Sequence, residues 1–208
     1  MRTLYIGDKN LSSWSLRPWL ALREAEIPFE EVVIRLDQPD TKAHLCAVSP
    51  SGRVPALKER NLVLWDSFAI VEFAAELAPA LWPADRAERA LARSVSAEMH
   101  GGFAALRTHC PMDIHNVRGR DAAACRAAPG VAADVARIQE VWRMCLERSG
   151  GPFLFGGFTI ADAMYAPVVT RFRTYGVPLE PGLQAYADAI WALPAMVEWV
   201  AGAAAEVR

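Results

Sequence analysis

Arg53-Val54-Pro55-Ala56-Leu57, followed by a short hairpin and then by Trp65-Asp66-Ser67 at the head of a helix-like run, decides how this chain is read. Proline has no N–H to give a ladder, so it belongs at the start or edge of a strand and not inside one. Pro55 stands where a strand begins. X-Pro bonds in tight turns are the usual home of a cis peptide. A cis Val54-Pro55 bond would turn the backbone groups of Val54 outward to a ligand instead of inward to the sheet. Asp66-Ser67 would then set a carboxylate, a hydroxyl and the free amides of a helix N-terminus beside that ligand. Together these features outline a slot for a short peptide.

Working outward, residues 3–6 read as a strand, 15–25 as a helix and 29–34 as a second strand, an order that normally gives parallel strands. Pro18 is placed by this reading in the first turn of its helix, where a missing N–H costs little. Residues 56–58 and 62–64 flank Glu59-Arg60-Asn61 as a hairpin, and 67–77 has helical spacing through Ile70, Val71, Phe73, Ala74 and Leu77. The sum, βαβ then ββα, is an α/β thioredoxin-like arrangement spanning residues 1–78. A proline-punctuated linker at 78–83 ends it, and strand signals vanish beyond. Residues 86–109 read as one long helix with a possible kink at Gly101-Gly102, 121–133 as a loose Ala/Gly-rich loop, and 131–148, 160–175, 183–192 and 194–205 as further helices. An all-α domain over 86–208 follows.

The bulk properties close off several classes of function. A chain of 208 residues that is 53% apolar has ample material for a buried core. A formal net charge of −2 argues against a general nucleic-acid binder. Cys46, Cys110, Cys125 and Cys145 show neither a C-x-x-C pair nor zinc-ligand spacing, which points to reduced thiols, no metal and a cytoplasmic location. The first residues meet a charge too early for a signal peptide, and no apolar run is long enough to span a bilayer, so no membrane association is expected.

The helix that begins near Ser15 carries hydroxyls where a redox module of this type would carry a dithiol. Hydroxyls at a helix head still serve thiol chemistry when the thiol belongs to the ligand, because a hydrogen bond to sulfur and the positive end of the helix dipole both favour thiolate. At this point the chain resembles the cytosolic glutathione transferases over nearly its whole length. The resemblance rests on the Ser-Ser-x-Ser-x-Arg stretch from Ser12 to Arg17, on Ser49-Pro50-Ser51-Gly52-Arg53-Val54-Pro55-Ala56-Leu57, on Asp66-Ser67 and on Thr159-Ile160-Ala161-Asp162. It implies the glutathione transferase fold, a homodimer, and attack of a glutathione thiolate on a small electrophile. It further implies that Ser12, or its neighbour Ser13, stabilises the thiolate. Val54 would pair its backbone with the cysteinyl moiety across a cis Pro55, while Asp66 and Ser67 would hold the γ-glutamyl end. Arg53 and, less directly, His44 would approach the glycyl carboxylate.

Within the family the serine cluster is similar to that of the zeta class, whose members isomerise maleylacetoacetate or act on small haloacids. Trp14 departs from that class, which has Cys there, and Asp66 is one methylene shorter than the usual Glu or Gln. In isolation Ser12 and Ser13 would be helix caps and Asp66-Ser67 an N-cap; the downstream elements turn both toward ligand binding. Trp14, Met99, His100, Phe103 and Arg107 are the candidates for the second-substrate pocket, although such stripes are more often core. Arg171 and Arg173 fall where the zeta class meets substrate carboxylates. Thr159 and Asp162 form a capping box, assigned to folding. The alternatives are a zeta-type isomerase or dehalogenase, which needs a carboxylate-binding arginine near the sulfur, and a non-catalytic glutathione-binding or assembly module.

Overall fold

The computed structural model describes residues 1–206. Its N-terminal part is a four-stranded sheet built from β1 (Arg2–Ile6), β2 (Glu30–Val33), β3 (Ala56–Glu59) and β4 (Leu62–Trp65), with α1 (Ser13–Glu24), α2 (Thr41–Val48) and α3 (Ser67–Leu77) around it. The spatial order is β2-β1-β3-β4, with β1 parallel to β2 and antiparallel to β3, and β3 antiparallel to β4. Leu4 pairs with Leu57 and Leu57 with Leu64 across the sheet. The period-2 side-chain alternation of a strand therefore stacks one apolar row beneath α1 and α3. The Val54-Pro55 peptide is cis and immediately precedes β3.

Beyond a single 3-10 turn at Pro79–Leu81 the chain is helical: α4 (Arg86–Gly101), α5 (Ala104–His109), α6 (Ala122–Ala127), α7 (Val131–Ser149), α8 (Ile160–Tyr175), α9 (Pro181–Ala192) and α10 (Pro194–Glu206). Helix α8 runs through the middle of this region and packs on α1, α4 and α9. It is buried almost all round, which is why it reads as a continuous apolar run and not as a stripe. Trp142 packs against Tyr165, Phe172 and Tyr186, and Trp19 against Trp199, so aromatic pairs join α7, α8 and α9 on one side and α1 with α10 on the other.

Four elements differ from the sequence reading. Helix α1 begins at Ser13, two residues early, so Pro18 lies in its second turn and not its first. Helix α2 is an addition; it buries no residue fully and so leaves no apolar stripe to read. The 86–109 segment is two helices, because the chain breaks at Gly102-Phe103. A Cβ on Gly102 would sit 2.7 Å from the Glu98 carbonyl oxygen, and Phe103 takes φ 61°. The 121–133 segment holds α6, whose N-terminus Asp121 caps through the amides of Ala123 and Ala124 at 2.9 and 3.3 Å.

Candidate active site

The loop from β1 into α1 carries the serines, and the distant end of the chain holds it in place. The Asp8 carbonyl accepts from the amides of Leu11 (3.1 Å) and Ser12 (2.8 Å). Glu206, in the last turn of α10, accepts from the amides of Lys9 (3.0 Å) and Asn10 (3.1 Å), and the Trp199 indole donates to the Lys9 carbonyl at 2.9 Å. Asn10 in turn donates to Asp113 at 2.9 Å and accepts from the His115 amide at 3.0 Å. A loop this fully bonded presents Ser12 and Ser13 in one arrangement. Ser12 makes no side-chain bond to the helix amides. Instead its Oγ lies 2.7 Å from Ser15 Oγ, which accepts from the Gly7 amide at 3.0 Å. Ser13 Oγ accepts from Arg171 Nη2 at 3.3 Å.

Two adjoining cavities meet at Trp14, Arg53 and Val54. The first, about 380 Å³, is lined also by Ser12, Ser13, Arg107 and Arg171, with Leu36, Leu45, Pro111 and Met112 as apolar walls. The second, about 320 Å³, is completed by Ser51, Pro55, Trp65, Asp66 and Ser67. Asp66, at φ 74°, uses Oδ1 to cap α3 through the amides of Phe68 (2.8 Å) and Ala69 (3.4 Å). Its Oδ2 lies 3.3 Å from His100 Nε2. Burial pushes the His100 imidazole below its ordinary pKa, overriding the attraction of Asp66, with Arg17 and Arg107 adding to the depression. His100 is therefore neutral at neutral pH, and the Asp66 charge is not cancelled.

The first cavity is strongly cationic. No carboxylate lines it, while Arg53, Arg107 and Arg171 do. Behind Trp14 lies Arg17, fully buried, with none of its three guanidinium nitrogens partnered among the described residues. The guanidinium carbons of Arg17 and Arg107 stand 4.3 and 4.8 Å from the centre of the Trp14 ring. Burial, then repulsion from Arg107 and Arg171, drives the Arg17 pKa well below its ordinary value; burial and Arg107 push Arg171 down to about 9. Groups so strained by like charge favour any anion that enters beside them.

The structure thus brings Ser12, Ser13, Trp14, Arg53, Val54 and Arg107 around one cavity and Trp14, Arg53, Val54, Pro55, Asp66 and Ser67 around the other. It does not bring in His44, which is exposed on α2, lies 3.7 Å from Asp40 and faces a separate groove beside β2. Met99 and Phe103 belong to the core; Met99 contributes only its carbonyl, to Arg107 Nη2. His100 lines neither cavity and packs edge-on against Trp14 at 5.3 Å. Arg173 is on the surface, 3.5 Å from Asp188, whereas Arg171 is buried and donates to the Cys110 carbonyl at 2.9 Å. The placement of Arg17 and Ser15 escaped the sequence reading. Their signal was a lone arginine inside the apolar run from Leu16 to Leu22 and a third serine one helical turn after Ser12.

Two family profiles match the chain: "Glutathione S-transferase, N-terminal domain" over residues 11–77 and "Glutathione S-transferase, C-terminal domain" over residues 89–202. The chain belongs to the glutathione S-transferase family. A probable maleylacetoacetate isomerase of Caenorhabditis elegans is 25% identical over 181 residues, covering 86% of this chain and 82% of that protein. The holo structure of a bacterial maleyl pyruvate isomerase, described as a zeta-class glutathione S-transferase, superposes with a TM-score of 0.74 at 26% identity over 95% of both chains. A glutathione transferase homologue from Burkholderia, solved with bound glutathione, superposes with a TM-score of 0.73 at 24% identity over 98% of both chains. Membership in the glutathione S-transferase family accounts for the thioredoxin-like sheet with its helical C-terminal region. Among the described residues no group of three or more His, Cys, Asp or Glu is arranged to hold a metal ion, and no helix is long and apolar enough to cross a membrane.

Proposed function

We propose that Ser12 holds the sulfur of glutathione as a thiolate for attack on a small electrophile. In this reading residues 1–78 bind glutathione and residues 86–208 supply the far wall of the second-substrate site. The observation that carries it is the pair of cavities joined at Trp14, Arg53 and Val54, one with a helix N-terminus and a carboxylate, the other with serines and arginines. Glutathione supplies the nucleophilic sulfur. Val54, which makes no backbone hydrogen bond among the described residues, pairs its main chain with the peptide. Asp66 meets the γ-glutamyl ammonium, the unpartnered Ser67 hydroxyl at the head of α3 meets its carboxylate, and Arg53 meets the glycyl carboxylate. At the serine end, the Ser12 hydroxyl, the head of α1 and the three arginines all favour a negative sulfur. Lowering a thiol from about 8.5 to below 7 takes about 2 kcal/mol. One hydrogen bond to a charged group contributes about 1.5–3 kcal/mol, so these groups suffice.

A second observation narrows the electrophile. Arg171 and Arg107 line the serine cavity with no acid opposite them, which favours a substrate that carries a carboxylate, the requirement of a zeta-type isomerase or dehalogenase. Trp14 takes space that the zeta class leaves to a cysteine, and so favours a compact substrate. A homodimer is proposed from the exposed edge strand β4, on which Leu62 is left uncovered. A cytoplasmic location is supported by four unpaired cysteine thiols. The test is glutathione-dependent turnover across aryl halides, hydroperoxides, small haloacids and maleylacetoacetate. Turnover of the carboxylate-bearing members supports this reading. Glutathione retention with no turnover of any member contradicts it and leaves a binding module.

A further inference from the structure

The hydroxyl of Ser12 has to point its proton into the cavity to serve a sulfur, and the structure shows what fixes that direction. Ser15 Oγ is fully buried and makes two hydrogen bonds: it accepts from the Gly7 amide at 3.0 Å and shares one with Ser12 Oγ at 2.7 Å. The amide can only donate, so the first bond uses a Ser15 lone pair. If Ser12 donated to Ser15, the Ser15 proton would be buried without an acceptor among the described residues, at a cost of about 1–3 kcal/mol. If Ser15 donates to Ser12, both the Gly7 amide and the Ser15 hydroxyl are satisfied and, of these three donors, the Ser12 proton alone is left over. Ser12 lines the cavity, so that proton faces the ligand.

We infer that Ser15 is a positioning residue for the reaction: it forms a relay, Gly7 N–H to Ser15 Oγ–H to Ser12 Oγ–H, that leaves Ser12 as an obligatory donor to the glutathione sulfur. Gly7 takes part through its lack of a side chain, since a Cβ there would lie 3.1 Å from Ser12 Cβ and 2.8 Å from Leu36 Cδ1. The relay also polarises in the useful sense. Each hydroxyl that accepts a hydrogen bond becomes a better donor to the next group, so Ser12 binds a thiolate more strongly than an isolated serine would. The inference rests on the proposed role of Ser12, and the experiment separates the two.

The experiment is a double-mutant cycle in the full-length protein, read as the pKa of enzyme-bound glutathione from thiolate absorbance against pH. Ser12→Ala is expected to raise that pKa by about one to two units, the equivalent of one charge-assisted hydrogen bond. Ser15→Ala should raise it in the same direction by a smaller amount, the double variant should match Ser12→Ala alone, and Ser15→Thr, which keeps the hydroxyl, should restore most of the loss. Amide exchange at Gly7 in the free protein should accelerate in Ser15→Ala and not in Ser12→Ala. A Ser15→Ala pKa equal to wild type beside a raised Ser12→Ala pKa overturns the relay and leaves the role of Ser12 standing. Additive effects in the double variant also overturn it, because Ser15 would then act independently. No effect of Ser12→Ala removes both readings. Should Ser15→Ala fail to fold, Ser15→Cys, a weak donor of similar volume, is read against a glutathione-free blank, and an unchanged pKa there overturns the relay.

Discussion

Replacing Arg171 with methionine asks whether the cationic cavity selects its substrate by charge. Arg171 rises from α8 with its three guanidinium nitrogens unequally engaged: Nε donates to the Cys110 carbonyl at 2.9 Å, while Nη1 and Nη2 stand at 3.4 Å from the Pro167 carbonyl and 3.3 Å from Ser13 Oγ. The two Nη groups are thus loosely held beside the serine cavity. Burial pushes the guanidinium down to about 9, which still leaves it charged at neutral pH. Methionine keeps the length of the side chain and removes the charge. The Cys110 carbonyl loses a partner, costing about 1 kcal/mol, and the loss is offset because no cation is then buried. A bond from a charged guanidinium to a substrate carboxylate contributes about 1.5–3 kcal/mol, or roughly a 10- to 150-fold effect. The assay is kcat/KM for a small haloacid and for its uncharged amide, in Arg171→Met and in wild type. The ratio of acid to amide should fall by that factor while the amide rate holds. A ratio that stays within about threefold in a folded variant would refute charge selection by Arg171.

Three further outcomes follow from groups near the site and in the helical region. Asp162 is fully buried, and burial raises its carboxyl to about 6; the folded state therefore holds its proton more tightly than the unfolded chain, and stability from this group is lost as pH rises from about 4 to 6. Against Asp162→Asn, wild type should lose about 2 kcal/mol of relative stability between pH 4 and 7 in urea unfolding, and a pH-independent difference would contradict the assignment. The Asp162 carboxylate also accepts from the Thr159 amide at 2.8 Å and the Thr159 hydroxyl at 3.0 Å, so Thr159→Ala should cost about 1 kcal/mol with unchanged specific activity per folded molecule. His100, held below its ordinary pKa mainly by burial, takes up a proton only on acidification below the ordinary histidine range and then competes with the glutathione ammonium for Asp66. Glutathione affinity measured by calorimetry should weaken over that range in wild type and stay level in His100→Gln.

The sequence was most legible where local chemistry and packing agreed. Helix α3 begins and ends where Asp66-Ser67 and Ala78-Pro79 place it, because its cap and its buried Ile70, Val71 and Ala74 state the same boundaries. The cis Val54-Pro55 bond was implied by the family resemblance, since a proline at the mouth of a strand is by itself compatible with either isomer. Helix α2 was hidden by its exposure, and α6 by an alanine-rich composition that leaves only Asp121 as a signal. The start of α1 was misplaced because Ser12 and Ser13 resemble caps, whereas their hydroxyls turn to Ser15 and accept from Arg171. The cavity walls were least legible. Leu36, Leu45 and the Pro111-Met112 pair come from three separate segments with no common period, and Met99 and Phe103, read as pocket candidates, are themselves core. Arg17 shows the same limit, since a sequence gives its type but not the missing counter-charge.

The central claim is that this site holds glutathione as a thiolate, and titrating the protein with glutathione at a series of pH values while following thiolate absorbance tests it most directly. The account predicts a bound-thiol pKa below 7, returning toward about 8.5 in Ser12→Ala. A bound thiol that titrates near 8.5 in the native protein would contradict it.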